Sequence, residues 1–171
     1  MTTALLIGNG ISFAAAIMTI LSSLAKDRWH IYIYQVAQCL LSAIASIFFN
    51  SYAGVVSLLV CAARNYLSAI DKLGKRETIL CAAAVLVLGI ACNNRGAIGW
   101  IVIAANVIYT IGSYAAKREK AIKANIVVNL TLWIVYEAFI FDIPSIIADG
   151  AGLGAAVWAM VRGKKKTAEK M

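Results

Sequence analysis

Apolar residues run through this chain in long blocks, and each block is close to twenty residues, the length that carries an α-helix across a bilayer core. Short polar clusters separate the blocks. Read this way, the pattern predicts seven helices, at 4–24, 30–49, 52–70, 77–94, 97–115, 122–141 and 144–162. The second and third are joined by the uncharged pair Asn50-Ser51. The sixth and seventh are joined by Asp142-Ile143, followed by Pro144, which suits the first turn of a helix because its missing N–H has no partner there anyway.

Composition strengthens this picture. Hydrophobic residues make up 62% of the 171 and charged residues only 14%, where an ordinary globular domain is about a quarter charged. The expectation is an all-α, multi-pass integral membrane protein, with the lipid bilayer as its first partner. Met1-Thr-Thr carries no basic region ahead of the first block, so that block is expected to stay as a span and not be removed as a secretory signal.

A net charge of +8 would suit nucleic acid, but the placement of the charges argues otherwise. Lys26 and Arg28 lie in the first loop, and Lys72, Lys75 and Arg76 in the third. Lys117, Arg118, Lys120 and Lys123 lie in the fifth, and Arg162, Lys164, Lys165, Lys166 and Lys170 in the tail. Of the sixteen Lys and Arg residues, only Arg64 and Arg95 fall elsewhere. This alternation is a topology signal. It predicts an N-terminus outside, a C-terminus in the cytoplasm, and no nucleic-acid partner.

The chain also echoes itself. Thr19-Ile-Leu-Ser-Ser-Leu-Ala-Lys26 returns 91 positions later as Thr110-Ile-Gly-Ser-Tyr-Ala-Ala-Lys117, with five identities. Spans one to three and five to seven are therefore candidate repeats. Two directly joined three-helix units would point in opposite directions, so the fourth helix inverts the chain and makes them parallel. The expected units are 1–72 (repeat 1), 73–96 (linker helix), 97–163 (repeat 2) and 164–171 (basic tail).

Gln35-Val-Ala-Gln38, Ala63-Arg64-Asn65, Leu132-Trp133-Ile-Val-Tyr136 and Ile143-Pro144-Ser145 resemble the YgjV-type bacterial inner-membrane family. The three plus one plus three order resembles the SWEET sugar transporters and the PQ-loop proteins. The Pro-Gln dipeptide of the latter is absent, and spans one, two, three and five hold no proline. A proline-hinged rocking motion is therefore not implied.

Ionisable side chains inside spans are costly and tend to face a bundle interior or a cavity. Arg64, beside Asn65, faces either such a cavity or, by snorkelling, the cytoplasmic interface. In span six Asn125, Asn129, Trp133, Tyr136 and Glu137 follow spacings that place most of them along one helical face. In span two Gln35, Gln38, Ser42 and Ser46 do the same, and the 91-residue offset sets Gln38 against Asn129 and Ser46 against Glu137. Asp149 of span seven joins these candidates beside Gly150 and Gly154, a Gly-x-x-x-Gly face that allows close helix approach. Asn9, Ser12, Thr19, Asn106 and Thr110 are cavity candidates of lower weight. Cys39, Cys61, Cys81 and Cys92 read as small apolar residues with no metal or disulfide role, and His30 as a headgroup-level residue.

The expected substrate-binding set is thus Gln35, Gln38, Arg64, Asn65, Asn106, Asn129, Trp133, Tyr136, Glu137 and Asp149. Amides and hydroxyls suit a small polar molecule, since they donate and accept without charge. The leading expectation is a secondary transporter or facilitator of a small polar metabolite. A membrane receptor or accessory subunit, including a vitamin-binding component of a larger transporter, stands as the alternative, and a homo-oligomer is left open. No catalytic motif, metal site or cofactor is expected, so the chain does not read as an enzyme. The basic tail suits contact with anionic lipid.

Overall fold

The computed structural model describes residues 2–25, 27–115 and 119–168; Lys26, Lys117, Arg118 and Lys170 of the basic clusters lie outside them. The described chain holds seven α-helices and no strand. These are α1 (Thr3–Leu24), α2 (Arg28–Phe48), α3 (Tyr52–Ala69), α4 (Lys75–Ala91), α5 (Ala97–Ala115), α6 (Glu119–Ile140) and α7 (Ile143–Ala168). Most ends fall within a few residues of the sequence expectation. The exception is α7, which runs past 162 into the lysine-rich tail.

Local chemistry explains the boundaries. The Asp27 side chain accepts from the His30 backbone N–H at 3.0 Å and caps α2, and Glu77 reaches back to the Gly74 N–H to cap α4. Pro144 sits in the first turn of α7, behind Asp142, which accepts from the Ser145 N–H at 3.3 Å. Helices α2, α3 and α6 end on left-handed residues, Asn50 (φ 53°), Asp71 (φ 56°) and Phe141 (φ 60°). Asn and Asp adopt that conformation readily, whereas Phe does so against its side-chain sterics. The Phe141 carbonyl is held by the Asn9 side-chain amide at 3.1 Å.

Six helices close into a ring. Helix α1 packs on α2, α2 on α3, α3 on α5, α5 on α6, α6 on α7, and α7 returns to α1. Helix α4 lies outside the ring, against α3 and α5. Among the described residues α2 and α6 do not pack on each other, which leaves space between them.

What is buried and what is exposed is inverted relative to a water-soluble bundle. Phe13, Leu80, Val87 and Ile147 are each more than half exposed, while Ser12, Ser46, Ser51, Ser57, Asn106 and Thr110 are almost fully enclosed. An apolar exterior around a polar interior is the arrangement a bilayer demands, because lipid solvates the outer side chains and every polar group must be met from within. Helices α1 and α2 carry the longest apolar spans, Thr3–Ser22 and Trp29–Phe48; those of α5, α6 and α7 are shorter.

One end of the bundle gathers the α2–α3 turn, the α4–α5 loop, the α6–α7 turn and the N-terminal half of α1. The Asn94 amide donates to Asn50 O at 2.8 Å and Arg95 Nε to the same carbonyl at 3.0 Å. Gly8 of α1 lies against the Phe49 ring. The α1–α2 and α3–α4 connections lie at the opposite end.

Candidate functional site

A central cavity of about 220 Å³ occupies the space between α2 and α6. All six ring helices line it, and no residue of α4 does. It is smaller than the roughly 300–1,000 Å³ typical of sites for drug-sized ligands, so its size fits a molecule of few heavy atoms.

The ten expected site residues all lie on its wall. Helix α2 contributes Gln35 and Gln38, and α3 contributes Arg64 and Asn65. Asn106 comes from α5, Asp149 from α7, and Asn129, Trp133, Tyr136 and Glu137 from α6. The spacing explains the last group: steps of four, three and one residues keep the α6 side chains within one sector of the helix. Gln38 Nε2 donates to Ser42 Oγ at 3.2 Å along the α2 stripe.

Arg64 is only 7% exposed and does not snorkel. Its Nη1 donates to Thr110 Oγ1 at 3.0 Å, its Nη2 to Asn65 Oδ1 at 3.3 Å, and its guanidinium carbon sits 4.8 Å over the Tyr109 ring. Among the described residues no carboxylate lies within ion-pair distance of it. Hydrogen bonds and the ring face replace a counter-charge. Tyr109 also lines the cavity and was not among the expected residues; its place three residues after Asn106, on the same face of α5, is the signal that could have found it.

The carboxyls are differently placed. Asp142 accepts from Ser12 Oγ at 2.8 Å and Ser145 Oγ at 2.9 Å, tying α1 to the start of α7. Glu137 is 5% exposed, and its Oε2 is enclosed with no hydrogen-bond partner among the described residues; the same holds for Asn129 Oδ1 two turns earlier on α6. Tyr136 is fully buried, its hydroxyl bonded to Ser51 Oγ, and its ring meets Trp133 edge-on at 5.7 Å. It joins α6 to the α2–α3 turn while facing the cavity.

Several sequence expectations take different places. Asn9 and Ser12 do not line the cavity but bind the α6–α7 turn. Asn125 donates to Tyr109 O at 3.1 Å, bracing α6 on α5. Cys39 and Cys61 are free thiols, yet they are more than small apolar filler. Both line the cavity, with Cys61 Sγ donating to Asn106 Oδ1 at 2.7 Å and Asn65 Nδ2 meeting Cys39 Sγ at 3.7 Å. Among the described residues Gly150 and Gly154 meet no other helix, because α7 turns Gly152 toward Leu130 of α6 and leaves the other two exposed. His30 is exposed and pairs with Asp27 at 2.6 Å.

The six-helix ring, its apolar exterior and its polar centre make a multi-pass membrane protein. A family model described as a bacterial inner membrane protein, Imp-YgjV, matches residues 6–167. The chain belongs to the YgjV family. That match includes every helix of the ring and every residue of the cavity wall, and it places the protein in the bacterial inner membrane. No curated protein and no solved structure matches this YgjV-family chain.

Proposed function

We propose that this YgjV-family protein is a transporter or facilitator of a small polar metabolite, exposing the central cavity alternately to the two sides of the membrane. One observation carries the reading. The cavity is walled by α1–α3 on one side and α5–α7 on the other, with α4 taking no part, so a relative movement of two three-helix units would open and close it. The two units are parallel repeats, 1–72 and 97–163, joined by an inverting linker helix at 73–96, as in the SWEET-like order. The contact pattern supports this: exchanging α1–α3 with α5–α7 converts the α3–α5 contact into the α7–α1 contact, and both are present. Sites at such repeat interfaces near the bilayer midplane are common in secondary transporters.

The N-terminus lies outside and the basic tail, 164–171, in the cytoplasm, in keeping with the loop charges. The ten wall residues bind the solute, and no chemistry is performed on it. The test is solute flux into proteoliposomes. Glu137→Gln and Asn129→Ala are expected to impair flux in protein that still folds, and intact flux in both variants would remove the site. Saturable binding with no flux would make the protein a receptor or accessory subunit instead.

A further inference from the structure

The cavity of this strongly basic chain is rich in acid. Glu137, Asp142 and Asp149 line it, against one guanidinium, Arg64. Asp142 is engaged by Ser12 and Ser145, but neither Glu137 nor Asp149 has a hydrogen-bond donor among the described residues. No Lys or Arg nitrogen of those residues lies within ion-pair distance of any of the three acids.

Arg64 is too deep to serve. It lies thirteen residues past Ser51 along α3, about 20 Å from the turn end, whereas Asp149 lies seven residues past Asp142 on α7, about 10 Å from it. Its donors are also directed to Asn65 and Thr110.

An enclosed carboxylate with no donor is unfavourable unless a partner is supplied. Three neighbouring features define that partner. Glu137 Oε2 and Asn129 Oδ1 are both enclosed acceptors without a donor, on one face of α6. Between them, Trp133 lines the cavity, and an indole face attracts cations. Asp149 adds a second negative charge from the neighbouring helix α7. A protonated amine supplies the positive charge and the N–H donors together, while a sugar or other neutral polyol supplies only donors.

We propose that the cavity binds a small organic cation whose primary ammonium group donates to Glu137 and shares its charge with Asp149, while a second donor at the other end of the molecule reaches Asn129, two turns along α6, with Trp133 between them. The assignment names the substrate class for the cavity proposed above and rests on that reading. Arg64, level with Asn129 at about 20 Å from the turn end, sets the length such a cation can have.

The test uses the purified full chain and its thermal unfolding. Ethanolamine and 1,4-diaminobutane serve as probes, paired with the neutral ethylene glycol and 1,4-butanediol, and with sodium chloride at matched ionic strength. The amines are expected to raise Tm and their neutral partners and the salt are not. In Glu137→Gln the concentration needed for the same rise should increase about 30-fold or more, the loss from removing one partner of an enclosed charge pair. Asp149→Asn should move it the same way by less, and it provides the reading if Glu137→Gln does not fold.

The proposal is overturned if neither amine raises Tm, if a neutral partner or sodium chloride raises it equally, or if the acid variants leave amine affinity unchanged. The two levels separate cleanly. Flux of a neutral solute blocked by Asn129→Ala, with no amine effect, defeats the cation assignment alone. Amine binding lost in Glu137→Gln, with no flux of any amine, supports the cation assignment and defeats transport.

Discussion

The two ends of the ring are built differently. At the turn end, every crossing between α1–α3 and the rest is stitched by short-range polar contacts: Asn9 to Phe141 and Ile143, Ser12 to Asp142, Ser51 to Tyr136, and Asn94 and Arg95 to Asn50. Toward the basic end the described cross-links between α3 and α5 include Arg64 with Thr110 and Tyr109, and Cys61 with Asn106. A stitched end opens only by losing several bonds together, while the long Arg64 side chain can swing. If the cavity is exposed alternately as proposed, the stitched turn end is its closed side and the basic end the side on which it opens first.

The largest expected effect comes from forcing the stitched end apart. A Cβ on Gly54 would stand 2.6 Å from the Tyr136 hydroxyl and 3.1 Å from Ser51 Oγ, so Gly54→Val wedges α3 away from α6. It should lower stability by about 3 kcal/mol, the upper part of the usual overpacking range, and a thermal melt of the purified protein measures it. A wild-type melt would show that α3 and α6 are not held together there. Next in size is Arg64→Lys, which keeps the charge but loses the planar fork. A loss of about 2 kcal/mol is expected, in the range for hydrogen bonds to charged groups. Labelling of Cys61, which bonds Asn106 on the cavity wall, by an impermeant thiol reagent should rise in inside-out vesicles. A rise only in right-side-out vesicles would reverse the assignment of the two ends.

The same contrast explains what the sequence made legible. Helix number and the polar stripe of α6 were readable because a bilayer imposes one length on each block, and because side chains shunning lipid must share a face. Even so, hydropathy picks out α1 and α2 as the longest spans, since Arg64, Asn65 and Ser68 point inward from α3 and dilute its apolar signal. The stitches were not readable. Asn9 and Phe141 are 132 positions apart, and nothing in either neighbourhood says that an α1 amide will hold the Phe141 carbonyl. Gly150 and Gly154 misled for a related reason: spacing establishes that a helix could approach, but which face of α7 turns toward α6 is decided by the ring.

Smaller effects sharpen the comparison. Asn9→Ala removes one bond to the Phe141 carbonyl and one from the Ile143 N–H at a partly exposed site, for about 1 kcal/mol. It should raise Cys61 labelling in right-side-out vesicles, opposite to Arg64→Lys. If Asn9→Ala instead raised labelling only in inside-out vesicles, the polar stitches would not be what closes the turn end.

The smallest effect concerns two aspartates that start helices at opposite ends. Asp27, exposed at the basic end, accepts from the His30 backbone N–H and ring, which holds its carboxyl below the usual value of 3.8. A lowered carboxyl stabilises above its unfolded pKa, and that contribution is lost as pH falls through the folded one. Asp142, in the α6–α7 turn, is pushed upward by burial, against the opposing bonds from Ser12 and Ser145. Its sign is reversed: the stabilising contribution is present below 3.8 and is lost as pH rises through the raised folded value. Acidifying from neutrality should therefore relieve strain at the turn end first and weaken the α2 cap only below about pH 4. In melts across that range, Asp142→Asn should diminish the early gain and Asp27→Asn the late loss. If both variants changed the same limb, the two ends would share one environment, and the polarity inferred for the bundle would fail.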